Sequence, residues 1–144
     1  MAGSEQNDVR SLFLKLQSMT VSEKLELSRK ASKEIRALLM RDSNKLVQLA
    51  VIESPNITES EVLTIANNRQ ITDEVLRKIA LNRDWMKNYQ IKLALTHNPK
   101  TPLAIALRQI PYLSQRDLKL ISKSRAIARP LAIAAESRLK EVRR

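Results

Sequence analysis

The pentapeptide Pro-Leu-Ala-Ile-Ala occurs twice in this chain, at 102–106 and again at 130–134, an offset of 28 residues. A fixed internal offset constrains a fold more than any single motif, because it implies one supersecondary unit copied along the chain. The same offset aligns further positions. Val47, Val75, Leu103 and Leu131 share a column, and Val51, Ile79, Leu107 and Ala135 share the column four residues on, one turn along the same helical face. Ile65-Ala66 falls on Leu93-Ala94 and then on Ile121-Ser122, while Ile57 falls on Trp85 and Leu113. The period divides the chain into units 30–57, 58–85, 86–113 and 114–141, with residues 1–29 as an N-terminal helical cap and a single domain overall.

Each unit reads as two short helices. Val9, Leu12, Phe13 and Leu16 lie on one helical face, and Val21, Leu25, Ser28, Ser32, Ile35 and Leu39 continue a stripe. Thr20 with Glu23, Thr58 with Glu61, and Ser114 with Asp117 have capping-box spacing. Thr101 before Pro102 reads as an N-cap with proline at the first helical position. A single glycine, Gly3, argues against phosphate loops and tight hairpins, and no period-two alternation competes with helix. Helices of about 10 residues are unstable alone, so each unit must bury its apolar face on a neighbour, which predicts a stack with two ends to cover. Val9–Leu16 suits one end. The last helix suits the other, with Leu131, Ala135, Leu139 and Val142 inward and Glu136, Arg138, Lys140, Arg143 and Arg144 outward.

The run Leu93-Ala94-Leu95-Thr96-His97-Asn98-Pro99-Lys100-Thr101-Pro102 resembles the A-x-x-x-N-P-x-T-P signature of the leucine-rich repeat variant family, α-solenoids related to HEAT repeats. Residues 50–58 are a looser copy, and the resemblance spans roughly residues 37–141. The repeat here is longer than the family's, and the cysteine-rich cluster-binding segment of some members is absent, so no iron–sulfur cluster carries over. Asn82 through Pro102 is also similar to a group of small bacterial helical-repeat proteins, which supplies a fold but no activity. The resemblance implies an all-α, right-handed HEAT-like α-solenoid of eight to ten short helices. Such folds generally bind proteins, and some bind nucleic acid.

Most enzyme chemistries lack their residues. There is no Cys and one His, His97, which removes thiol nucleophiles, disulfides, thiolate zinc sites and two-His relays. Asp73 and Glu74 fall in a first helical turn, where the dipole favours acids. Asp84-Trp85 has the makings of a HEAT-like base-glycosylase site, but Trp85 shares its column with Ile57 and Leu113 and so reads as a packing residue. Tyr112 beside Leu113 reads as a junction residue with its hydroxyl at the surface. The expectation is a non-enzymatic protein with no cofactor and no metal. No apolar run is long enough to span a bilayer, the first eight residues are polar, and the absence of Cys suits a reducing compartment, so the expected location is the cytoplasm, without membrane insertion.

Charge is the strongest functional signal. The chain carries 26 Lys and Arg against 15 Asp and Glu, a net charge of +11. Residues 1–70 hold 10 basic and 9 acidic side chains, whereas residues 71–144 hold 16 and 6. Between Met86 and Pro130 the only acid is Asp117. In the 28-residue frame Arg41, Arg69, His97 and Arg125 recur at the turn inside each unit. Basic residues there complement helix C-termini, and in a stack they would also line one edge. With Lys100, Lys123 and Arg129 they form the expected partner-binding set. The partner class that fits is an acidic protein surface. Sequence-tolerant binding to nucleic-acid backbone is the alternative, weakened by only four aromatic residues for stacking.

Overall fold

The side chains of Thr20, Ser32, Asn44, Asn88 and Ser114 each accept a backbone N–H at the start of a helix. The computed structural model describes residues 2–142, with side chains from residue 8 onward, and among these it is all-helical, with ten α-helices and no strands. Arg143 and Arg144, expected on the polar side of the last helix, lie outside the described residues. The chain falls into two compact units, one up to Thr58 and one from Glu59.

The first unit holds α1 (Ala2–Gln17), α2 (Val21–Lys30), α3 (Lys33–Leu39) and α4 (Lys45–Ile52). The Thr20–Glu23 capping box forms in full. The stripe expected from Val21 to Leu39 is broken at Ala31-Ser32, because the Ser32 hydroxyl accepts the Ile35 N–H and starts a new helix. Leu38, Leu39, Val47, Val51 and Ile52 form the core, and of the α1 stripe only Leu16 is fully buried.

The second unit holds α5 (Glu59–Ala66), α6 (Asp73–Leu81), α7 (Tyr89–His97), α8 (Leu103–Gln109), α9 (Gln115–Lys123) and α10 (Arg129–Val142), with 3-10 turns at Trp85–Lys87 and Ile110–Tyr112. Here α5 packs on α6 and α7, α7 on α8, α8 on α10, and α9 on α10. Ala106, Ile110, Leu113, Leu118, Ile121, Leu131, Ala135 and Leu139 form one buried cluster. Polar links also tie the helix starts together. Asn88 Nδ2 donates to Glu59 Oε2 at 3.2 Å. The Tyr89 hydroxyl donates to the Asp117 carboxylate and accepts the Ser114 N–H at 3.1 Å. Ser114 caps α9 as expected, accepting from Asp117 N–H, but Tyr89 takes the half of the box that Asp117 would have supplied.

The expected 28-residue columns hold at Val47, Val75 and Leu131 and fail at Leu103. The two identical pentapeptides are out of phase: Leu103 is 43% exposed where Leu131 is 6%, and Ile105 is 7% exposed where Ile133 is 50%. The buried equivalents are instead Val75, Ile105 and Leu131, spaced 30 and then 26 residues. A two-residue slip rotates a helix by about 200°, so a shared string presents opposite faces. The cause is the length of two segments. From the start of α6 to the start of α7 the chain runs 16 residues, because the connection between them is long, and from the start of α8 to the start of α9 it runs 12, because α8 is two residues shorter than α7 and α9.

Two local expectations are also corrected. Helix α8 begins at Leu103 after Pro102, and the Thr101 hydroxyl is buried without a hydrogen bond rather than capping. Val142, expected inward, is exposed, although Leu131, Ala135 and Leu139 are buried.

Candidate functional site

The turns inside the helix pairs share one construction. Asp42, Asn68 and Asn98 each accept the backbone N–H two residues on, at 2.8, 2.9 and 2.9 Å, and Ser124 does the same at 3.2 Å. Asn68, Asn98 and Ser124 are spaced 30 and 26 apart, as are the buried Val75, Ile105 and Leu131, so they carry the register of the second unit. Asn98 does more than its counterparts. It is buried, and its Nδ2 donates to the carbonyls of Ala66 at 2.7 Å and Asn68 at 2.9 Å, joining the α7–α8 turn to the α5–α6 turn.

That bond brings part of the expected basic set together. Arg69 and His97 with Lys100 sit on neighbouring turns, while Lys123, Arg125 and Arg129 share the α9–α10 connection. All six are exposed and form no ion pair among the described residues. They do not make the single column expected: His97 and Lys123 precede their turn residue, and Arg69 and Arg125 follow theirs. Arg41, also exposed, lies in the first unit with its guanidinium over the Phe13 ring at 4.5 Å.

In that unit the polar centre is Lys24–Asp42, a 2.5 Å pair largely removed from solvent. Burial pushes the Asp42 carboxyl up, but hydrogen bonds from Lys24 and the Asn44 N–H, with the Lys24 charge, outweigh it and hold the carboxyl below its ordinary value. The pair borders a cavity of about 390 Å³ that also touches Phe13, Leu38 and Arg41.

The second unit contains a different kind of concavity, an open cleft of about 580 Å³. The long α6–α7 connection supplies Arg83, Met86 and Lys87. Helices α7 and α8 and the α8–α9 connection supply Lys92, Ile105, Arg108, Pro111 and Tyr112. Four cations therefore surround a mainly apolar wall, with no acidic side chain in the lining. Lys87 pairs with Asp84 at 3.5 Å, but both are well exposed, so the pair neutralises little. Arg83, Lys92 and Arg108 have no ion pair among the described residues, and the Lys92 ammonium lies over the Tyr112 ring at 4.7 Å.

None of the seven expected partner-binding residues lines this cleft. Trp85 is half-buried and outside its lining, and Tyr112 is exposed, as its junction position suggested. The sequence signal for the cleft was the dense charge after Met86, which includes Lys87, Lys92 and Arg108. Nothing in the 28-residue frame groups them, because they sit on different elements. Among the described residues no cluster of His, Asp and Glu could hold a metal ion, and no helix is long and apolar enough to cross a membrane. No family model, curated protein or solved structure matches the chain.

Proposed function

We propose that this protein is a non-enzymatic binding module, a HEAT-like α-solenoid of two-helix repeats, that recognises an acidic protein partner through its basic C-terminal half. The observation that carries the reading is the cleft of the second unit, where Arg83, Lys92 and Arg108, none of them in an ion pair among the described residues, share the lining with apolar side chains. Protein-recognition sites combine an apolar centre with a polar rim in this way, whereas a backbone-led nucleic-acid site needs mainly charge. The packing of α5 on α7 and of α8 on α10, with polar links between successive helix starts, supports a repeat stack in that unit. A rigid stack loses little entropy on binding, so moderate contacts suffice.

The test is fluorescence anisotropy with a disordered acidic polypeptide, duplex DNA, single-stranded DNA and RNA, at about 50 and about 200 mM salt. The acidic polypeptide is expected to stay bound at the higher salt while nucleic-acid binding collapses. Micromolar nucleic-acid binding at the higher salt, with a steep salt slope, would overturn the reading in favour of sequence-tolerant nucleic-acid binding.

A further inference from the structure

We infer that the cleft lined by Arg83, Lys87, Lys92, Arg108 and Tyr112 is a docking groove for a short acidic segment of the partner that inserts one large apolar side chain. This rests on the binding-module reading above and adds to it the site and the chemistry of the ligand.

Like charges converge on the cleft, and of the four only Lys87 has an acidic partner, the exposed Asp84. Arg83 and Lys87 come from the α6–α7 connection, Lys92 from α7 and Arg108 from α8, and the lining contains no carboxylate. Their mutual repulsion is a standing cost in the free protein that carboxylates of a ligand would relieve. The wall between them is Ala80, Met86, Ile105 and Pro111, flanked by the exposed Tyr112. Such a surface gains little from a fully charged chain. It gains from covering apolar area, about 25 cal/mol for each Å² removed from water. The volume of about 580 Å³ lies within the range of pockets that enclose a drug-sized group, so it suits one side chain and its flanking residues.

The same features disfavour a nucleic-acid strand. Stacking along a strand uses a series of free aromatic faces. This cleft offers one aromatic ring, one face of which is covered by Lys92, and otherwise aliphatic walls.

The inference is tested on the full chain by anisotropy at about 150 mM salt, with labelled probes of about ten units. The first probe is an Asp/Glu peptide with a central Leu, the second has Ser in place of Leu, and the third is a single-stranded oligonucleotide. The variants are Arg83→Glu/Arg108→Glu in the cleft and Arg69→Glu/Arg125→Glu on the turns, which change net charge equally. Tyr112→Glu alters the exposed edge of the apolar wall and leaves the arginines in place.

The Leu peptide is expected to bind at least about tenfold more tightly than the Ser peptide. It should lose about tenfold or more in the cleft variant and in Tyr112→Glu, and less than about threefold in the turn variant. Equal binding of both peptides, weakened equally by the cleft and turn variants, would sink the groove while leaving an acidic partner in place. Binding of the oligonucleotide with no binding of either peptide would sink both. Should the double cleft variant fail to melt natively, Tyr112→Glu decides alone: an unchanged Leu-to-Ser ratio there overturns the inference.

Discussion

Replacing Asn98 tests how the turns of the second unit are held together. In Asn98→Ala two buried hydrogen bonds disappear, from Nδ2 to Ala66 O at 2.7 Å and to Asn68 O at 2.9 Å, along with the Oδ1 bond to the Lys100 N–H. Ala66 ends α5, so its carbonyl has no intrahelical donor to fall back on. Asn68 O retains a long bond from the Ile71 N–H at 3.4 Å. Each lost bond is worth about 1 kcal/mol net, and an orphaned buried carbonyl adds about 1 kcal/mol or more, giving a loss of about 2–4 kcal/mol. Trp85 is the chain's single tryptophan and lies in the same compact unit, so urea unfolding followed by its fluorescence reports on the right part of the molecule. Asn98→Asp sharpens the test. It keeps an acceptor for the Lys100 N–H but turns a carboxylate oxygen toward two carbonyls, so it should be less stable than Asn98→Ala at neutral pH. An Asn98→Asp variant as stable as the parent would refute the reasoning, because only the local turn would then matter. So would an alanine variant losing less than about 0.5 kcal/mol.

Two other side chains carry predictions of their own. Thr101 stands three residues after Asn98, as Ile71 and Ile127 stand three after their own turn residues, and its buried hydroxyl has no partner. Thr101→Val should raise stability by about 1 kcal/mol in the same fluorescence assay, and a lower midpoint would contradict that account. In the first unit the depressed Asp42 carboxyl stabilises the fold at pH values above its unfolded value of about 3.9, and that contribution is lost as pH falls through the lower folded value. Asp42→Asn should therefore cost about 2 kcal/mol near neutrality by circular dichroism, with the gap to the parent closing below about pH 4. A gap that widens in acid would reverse the assigned sign.

The helical class and much of the core were readable because capping chemistry and apolar spacing are local. Thr20, Glu23 and Ser114 mark helix starts that the structure contains, and Val47, Val51, Val75, Ile79, Leu131 and Ala135 are all buried. The register failure has one cause. The identity of two pentapeptides puts Leu103 inward, whereas the structure exposes it. In the second unit Asn68, Asn98 and Ser124 give the spacing correctly, since a turn fixes where the next helix begins. The basic turn residues were legible as surface charge. The cleft was not, because Arg83, Lys92 and Arg108 meet only through the long α6–α7 connection and the short helix α8, and no helical pattern encodes such a meeting.

Those lengths have a consequence for how the chain could have acquired its cleft. The α6–α7 connection is two residues longer than the 28-residue mean allows and helix α8 is two residues shorter than α7 and α9, so the surplus is cancelled before α9 begins. A lone insertion would rephase everything downstream, but a matched insertion and deletion confine the disturbance to the helices between them. Such a pair reshapes one stretch of surface while sparing the interior on both sides. In an array of copied units, this offers a way to individualise one copy by editing length, with the side-chain composition of the core left almost unchanged.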